Sequence, residues 1–300
     1  MPNSRNWGHP FYGDGKFIIA DYSSGIFAYS SDGINWTEVT VSLPTPSNSW
    51  RFCKGCYGNG RYIMIFNDSL ANYTGFGGNS LKVTSTDGIN WVYSYLPNQP
   101  FTVIDIIFDG TQFVLLSTGG EVKTSKDGET WANRTNFDAN ITPYSHPLTD
   151  NSFIYNSETS TYCYAMPYFS SSDISKTEGQ YIYATKNLDS SWTRTDLVYN
   201  NVFPTASCIL DNIKIFCGKN GISTQSAGYI NVDSTGTATF VGSSVPRLNY
   251  MGGANIINDR AVVIGYGSDQ YIYSTDGTTW NTGTLPASSG WWGSCVGEVD

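Results

Sequence analysis

The sequence predicts an all-β chain folded as a six-bladed β-propeller, and three observations predict it. First, Ser30-Ser31-Asp32-Gly33-Ile34-Asn35-Trp36 returns in frame at Ser85 to Trp91, Ser125 to Trp131 and Ser274 to Trp280, always as S-x-D-G-x-x-W. The Asp residues stand 55, 40 and 149 residues apart, and the last gap has room for two worn copies. Thr185 to Trp192 and Ile230 to Phe240, with Phe240 in the Trp place, fill it. Second, short alternating runs flank each copy, so the copies are hairpin turns. Third, Asp14-Gly15, Asn59-Gly60 and Asp109-Gly110 add a further tight turn between apolar runs in each of the first three repeats. A seven-bladed ring with an incomplete last blade is the alternative.

Each repeat reads as four strands, A to D from the axis outward. In the first, A covers about 8–12, B 17–20, C ends at Tyr29, and D runs from Trp36. The second has 52–57, 62–66, 81–84 and 91–95; the third has 103–108, 113–116, 122–124 and a D strand from Trp131. The fourth is looser, at 153–156, 162–166, 181–184 and 192–195. The fifth takes 206–210, 214–217, 229–232 and 237–241, and the sixth 254–257, 261–265, 271–273 and 280–282. Small or polar residues near the A–B turns (Cys56, Gly58, Cys208, Asn255) suit a crowded axis. One domain over 1–300 is expected, with blades at about 7–43, 50–97, 101–137, 151–198, 203–244 and 250–286. The tail, about 291–299, aligns its Cys295 with Cys56 and reads as a closing strand, since an open sheet edge invites aggregation.

The turn motif has a mechanical reading. Its Asp carboxylate can accept backbone amides, its Gly takes the positive φ that a Cβ resists, and its Trp lays a large ring on a sheet. In these residues the chain resembles the Asp-box (BNR) repeat propellers, known from sialidases and from many propellers that are not sialidases. The resemblance implies that the box residues, Asp32, Gly33, Trp36, Asp87, Gly88, Trp91, Asp127, Gly128, Trp131, Asp276, Gly277 and Trp280, are structural staples at the blade periphery and not catalytic.

Composition narrows the partners. The 300 residues carry a formal charge of −9 and no basic patch, which argues against nucleic acid and against anionic membranes. The start, Met-Pro-Asn-Ser-Arg-Asn-Trp, has no apolar signal segment, and no stretch reaches spanning length, so membrane insertion is not expected. Six Cys are not a disulfide framework at this length. Cys53 and Cys56, on one regular strand, would point to opposite faces. No second CxxC completes a metal site, and neither a metal nor a cofactor is expected.

In a four-stranded meander the A–B and C–D turns share one end, and the B–C loops and D–A crossings share the other. The short turns occupy the first end. The long segments, 67–80, 136–150, 168–180, 217–228 and 242–250, all fall at the second, where binding is expected. Tyr73, Phe76, Tyr144, His146, Tyr168, Phe169, Asp173 and Tyr250 are the ligand-binding candidates there, because aromatic rings stack on sugar faces and polar groups read hydroxyls. Trp50, Trp291 and Trp292, at D–A crossings, read as packing.

Sialidase chemistry, as the resemblance describes it, needs an arginine triad, a Tyr–Glu pair, an acid Asp and an early F/Y-R-I-P segment. Only Val245-Pro246-Arg247-Leu248 echoes the last. A carboxylate pair for glycoside hydrolysis could draw on Asp105, Asp173 or Glu178, and His9 and His146 meet no identifiable nucleophile. The expected function is therefore a non-catalytic binding or structural propeller. The polar, Tyr-rich composition resembles bacteriophage structural and adsorption proteins, which implies a virion location and, as partners, host-surface glycan or other virion proteins. The alternatives are a carbohydrate-active enzyme and a cytoplasmic assembly factor that holds a protein partner.

Overall fold

The computed structural model describes residues 5–44, 50–68, 80–96, 102–117, 119–137, 153–168, 179–197, 202–219, 228–242, 245–246, 248, 251–265, 268–289 and 294–297. They form six four-stranded antiparallel sheets, each in meander order, the blades of a six-bladed β-propeller. Among the described residues no helix is long and apolar enough to cross a membrane.

The first sheet holds β1 (Phe11–Gly13), β2 (Lys16–Ala20), β3 (Ile26–Ser30) and β4 (Thr37–Thr40). The second holds β5 (Trp50–Gly58), β6 (Arg61–Asp68), β7 (Ser80–Ser85) and β8 (Val92–Tyr95). The third holds β9 (Val103–Phe108), β10 (Phe113–Ser117), β11 (Val122–Ser125) and β12 (Ala132–Asn133). The fourth holds β13 (Phe153–Asn156), β14 (Thr161–Tyr168), β15 (Gly179–Thr185) and β16 (Thr193–Leu197). The fifth holds β17 (Val202–Leu210), β18 (Asn212–Lys219), β19 (Gly228–Val232) and β20 (Ala238–Gly242), and the sixth β21 (Met251–Ile257), β22 (Arg260–Gly265), β23 (Ser268–Ser274) and β24 (Asn281–Ser289). Sheets one to three and residues 295–300 make one compact unit, and 144–294 make another.

Within each unit the cores lie between successive blades. Phe11, Ile18 and Phe27 of the first sheet pack with Tyr62, Met64, Phe66 and Leu81 of the second. Ile63 and Ile65 turn the other way, onto Val103, Ile106 and Phe113 of the third. The period-2 alternation of β6 thus feeds two interfaces, which is why Tyr62 to Phe66 is an unbroken apolar run. In the second unit Ile182, Ile213 and Ile230 fill one layer, and Phe216, Tyr229, Val263 and Ile272 the next. Each such ring or branched chain contributes about 1.5–3 kcal/mol when fully buried.

The inner strands meet through an aromatic-on-glycine ladder. A Cβ on Gly13 would lie 2.1 Å from Tyr57, one on Gly58 2.2 Å from Phe108, and one on Gly297 2.2 Å from Tyr12. No side chain fits at those glycines. Residues 294–297, in the expected closing strand 291–299, make no strand ladder, yet Gly297 uses the same contact as the inner strands. In the second unit Asn255 Nδ2 donates to Ser294 Oγ at 2.5 Å.

One expectation fails. Cys53 and Cys56 both pack against the core layer between the second and third sheets. A β-bulge between Phe52 and Lys54 inserts Cys53 as an unpaired residue, so the strand slips by one and the two thiols reach the same side.

Gly128 shows what the repeated turn demands: φ is +72°, and a Cβ would lie 2.6 Å from Ile63 Cδ1 on the preceding blade. Gly60, at φ +73° in an A–B turn, has open space around it. Gly60→Ala should cost about 1 kcal/mol, the left-handed backbone penalty alone. Gly128→Ala should cost about 2–4 kcal/mol, because overpacking adds to that penalty. Urea unfolding of both variants checks this, and equal losses would mean that the turn does not dock on the neighbouring blade.

Candidate functional site

The best-defined polar geometry in the chain is the turn itself. In all four full copies the Asp carboxylate accepts two successive backbone amides at 2.7–2.8 Å, from Ile34 and Asn35, Ile89 and Asn90, Glu129 and Thr130, and Thr278 and Thr279. The Ser hydroxyl donates to the same oxygen and accepts the Gly amide, as Ser85 does at 2.8 and 2.9 Å. The glycine amide and the two amides after it thereby have partners in every full copy. The fourth repeat rebuilds the device from other residues: Thr185 Oγ1 accepts the Asn187 amide at 3.2 Å, and Asn187 Oδ1 accepts the Asp189 amide at 2.9 Å. In the fifth, Asp233 Oδ1 accepts the amides of Thr235 and Thr237.

These bonds fix the carboxylates as anions. The Asn35, Asn90 and Thr279 amides, first among the donors, hold Asp32, Asp87 and Asp276 well below the usual carboxylate range. The Thr130 and Glu129 amides bring Asp127 down to about 2. A carboxylate so committed is a poor proton donor or acceptor near neutral pH.

The turns also bind the preceding blade. Lys82 Nζ donates to Gly128 O at 2.6 Å and pairs with Glu129, which also holds Arg61 at 2.6 Å. Tyr229 OH donates to Gly277 O at 2.8 Å. Trp91 meets Phe27 edge-on, with centroids 5.5 Å apart and planes at 84°. Trp280 meets Phe216 likewise at 5.1 Å and 84°. Lys214 Nζ lies 5.0 Å from the Tyr229 ring and 3.2 Å from Asn231 Oδ1, and burial lowers its proton affinity. Sequence reasoning passed over Lys82 and Lys214, although a lysine inside an apolar strand such as Leu81-Lys82-Val83 was the available signal.

The candidates read from the sequence divide cleanly. Tyr73, Phe76, Tyr144, His146, Phe169, Asp173 and Tyr250 lie outside the described residues, as does Glu178. Tyr168 closes β14, with its backbone opposite Gly179. Trp50 is buried and donates from Nε1 to Pro44 O at 3.0 Å, a packing role. Asp105 is buried on β9, where its Oδ1 accepts the Ile106 amide at 2.8 Å. The described arginines do not converge. Arg5 reaches Glu38, Arg61 Glu129, Arg134 Thr124 and Arg194 Asp196, while Arg51 and Arg260 lie over the Tyr22 and Tyr273 rings. Burial pushes the thiols of Cys163, Cys208 and Cys295 up to about 12, and that of Cys56 higher, so they are protonated and weakly nucleophilic. Among the described residues no group of three His, Cys, Asp or Glu side chains could hold a metal ion.

No family model matches the chain, and no curated protein matches it. Solved structures do. A YCF48 structure bound to a D1 peptide aligns with a TM-score of 0.62 at 15% identity, over 94% of this chain and 82% of that one. Virginiamycin B lyase from Staphylococcus aureus aligns with a TM-score of 0.62 at 12% identity, over 99% and 91%. A streptogramin B lyase gives 0.60 at 12%, over 97% and 87%. At such identities the likeness shows the propeller fold.

The lowered carboxylates make a pH prediction. A folded-state value below the unfolded one means stability that is complete above about pH 4 and is lost as the pH falls toward about 2. Thermal melts from pH 6 to 2 should therefore drop steeply below pH 4, and Asp127→Asn, which keeps one acceptor oxygen, should flatten that drop. Parallel curves for the variant and the parent would show that the Asp127 turn is not the linked group.

Proposed function

We propose that the chain is a non-catalytic binding propeller, a component of a bacteriophage virion, whose ligand site lies at the end of the blades that carries the B–C and D–A connections. The observation that carries this is the asymmetry between the two ends of each sheet. All A–B and C–D turns are short, and amides of the C–D turns, and of the A–B turns at Asp109 and Asn156, are engaged by the turns' own side chains. The longer connections, 69–79, 134–152, 169–178, 220–227 and 243–250, all leave the opposite end. A rigid frame with one committed end and one variable end is how binding surfaces are commonly mounted.

The chemistry of that end supports a polar, ring-stacking ligand. Its connections contain Tyr73, Phe76, Tyr144, Phe169 and Tyr250 among Ser, Asn and Gly. Host-surface glycan fits that composition, and another virion protein is the alternative occupant. The turns, as Asp-box staples, serve stability in this reading, and the dispersed, individually paired arginines support a non-catalytic role. A second reading, an assembly factor that grips a protein segment, is favoured by the likeness to the peptide-bound YCF48 structure.

A glycan array with the purified chain and a Tyr73→Ala, Tyr144→Ala, Tyr168→Ala variant tests the first reading. Each stacked ring contributes about 0.5–1.5 kcal/mol, so losing three should weaken binding roughly tenfold to a thousandfold with the melting temperature unchanged. Glycan binding that survives the triple substitution would move the site away from these rings, and no binding to any glycan would favour a protein occupant.

A further inference from the structure

The outermost strand of the second sheet is exposed in a way that the other described outer strands are not. β8 pairs with β7 along one edge, and no described strand pairs with the other. Val92, Tyr93 and Tyr95 are 69%, 43% and 54% exposed, and Val92-Tyr93-Ser94-Tyr95 carries no charge. Elsewhere the edge is guarded. β4 carries Glu38, paired with Arg5; β16 carries the Arg194–Asp196 pair; β24 contains Pro286; β12 has two residues. On β20 the Phe240 ring lies against Gly228 and Gly242 of its own sheet. An aromatic, uncharged, open edge is a template for strand addition.

The fold itself indicates what such a strand must carry. The Arg194 guanidinium lies 4.2 Å from the Tyr181 ring centroid, although its cross-strand partner is Tyr183, so it covers the diagonal neighbour on the next strand inward. Arg260 of β22 covers Tyr273 of β23 at 5.6 Å along the same diagonal but from the inner strand outward, since Val262 is the residue opposite Tyr273. This chain thus covers strand tyrosines with an arginine two places along the adjoining strand. For Tyr93 and Tyr95 the adjoining outward strand would be an incoming one. A net charge of −9 and the ionised Asp87 in the turn before β8 favour a cationic segment. A second copy of the chain would bring the same net charge, and β8 has no cation to offer.

We propose that β8 is a docking edge for an extended segment of a partner protein that carries Arg or Lys at alternate positions and adds to the second sheet as a fifth strand. Backbone hydrogen bonds to the free edge hold the segment, its cations sit over Tyr93 and Tyr95, and its apolar residues cover Val92 on the opposite face. This surface lies on the rim of the blade and is independent of the loop-end site.

Two labelled octapeptides of one composition test it, one alternating Arg and Val, the other repeating Arg-Arg-Val-Val, which never places two cations at i and i+2 on one face. The alternating peptide should bind about tenfold tighter, because only it places cations over both rings in register. Binding should slow hydrogen exchange at Val92–Tyr95. Tyr93→Ser with Tyr95→Ser should remove the preference, and Tyr93→Lys, which puts a cation on the edge, should repel the peptide; both positions are exposed, and unchanged melts will confirm folding. Equal affinity for the two peptides, or undiminished binding by the double variant, would overturn the proposal. So would a dimer of the parent chain that Tyr93→Lys dissociates, since a second copy would then occupy the edge. Glycan binding at the loop end should be indifferent to all three substitutions.

Discussion

The structure depends on a seven-residue turn that does two jobs with one set of atoms. Its Asp and Ser side chains absorb the amides of a bend too tight for ladder pairing, so the bend needs no water and no neighbour to be complete. At two of the turns the preceding blade takes the glycine carbonyl, Lys82 binding Gly128 O and Tyr229 binding Gly277 O, whereas Trp36 of the first turn takes its own Gly33 O. At the Gly277 joint the Trp280 ring adds an edge-on contact with Phe216, and Trp91 meets Phe27 in the same way one joint earlier than Gly128. Hairpin closure and blade stacking are therefore one event, and a blade that fails to form its turn also loses its grip on its neighbour.

The commitment of one end to stability is what frees the other. Strand ends fixed by β-bulges, by buried Lys82 and by the inner glycines supply a rigid mount, so the connections between B and C strands can vary in length without cost to the core. Blades one, three and six use short B–C connections, and blades two, four and five use long ones. The variation follows the connection and leaves the four-strand count untouched.

Much of the fold was legible because it repeats. The motif at Asp32, Asp87, Asp127 and Asp276 gave the frame, and the strand cores at 103–108, 113–116 and 153–156 match the observed β9, β10 and β13 closely. What escaped was set by contacts between blades, which no single repeat encodes. The bulge at Cys53 reversed a face assignment that regular alternation demanded. Lys82 and Lys214 look like solvent residues in any window that omits the facing turn. β8 reads in sequence like the other D strands, and its exposed, uncharged tyrosines, of which Tyr95 meets Trp50 while more than half of its surface stays exposed, distinguish it among the described residues. The loop candidates Tyr73 to Tyr250 rest on composition, because a segment without a period offers no pattern to place a side chain.

The aromatic-on-glycine contact has a direction. The first two inner strands each offer an aromatic residue toward one neighbour and, one position later, a bare glycine toward the other, as Tyr12-Gly13 and Tyr57-Gly58. Such a joint is heterologous: it reads head to tail, and a series of them is never self-satisfied at both ends. In the first unit the series starts with Gly297, so the first blade takes its missing half from a residue 285 positions away in sequence. The Tyr12 ring of the first sheet consequently lacks its glycine partner until Gly297 has been synthesised.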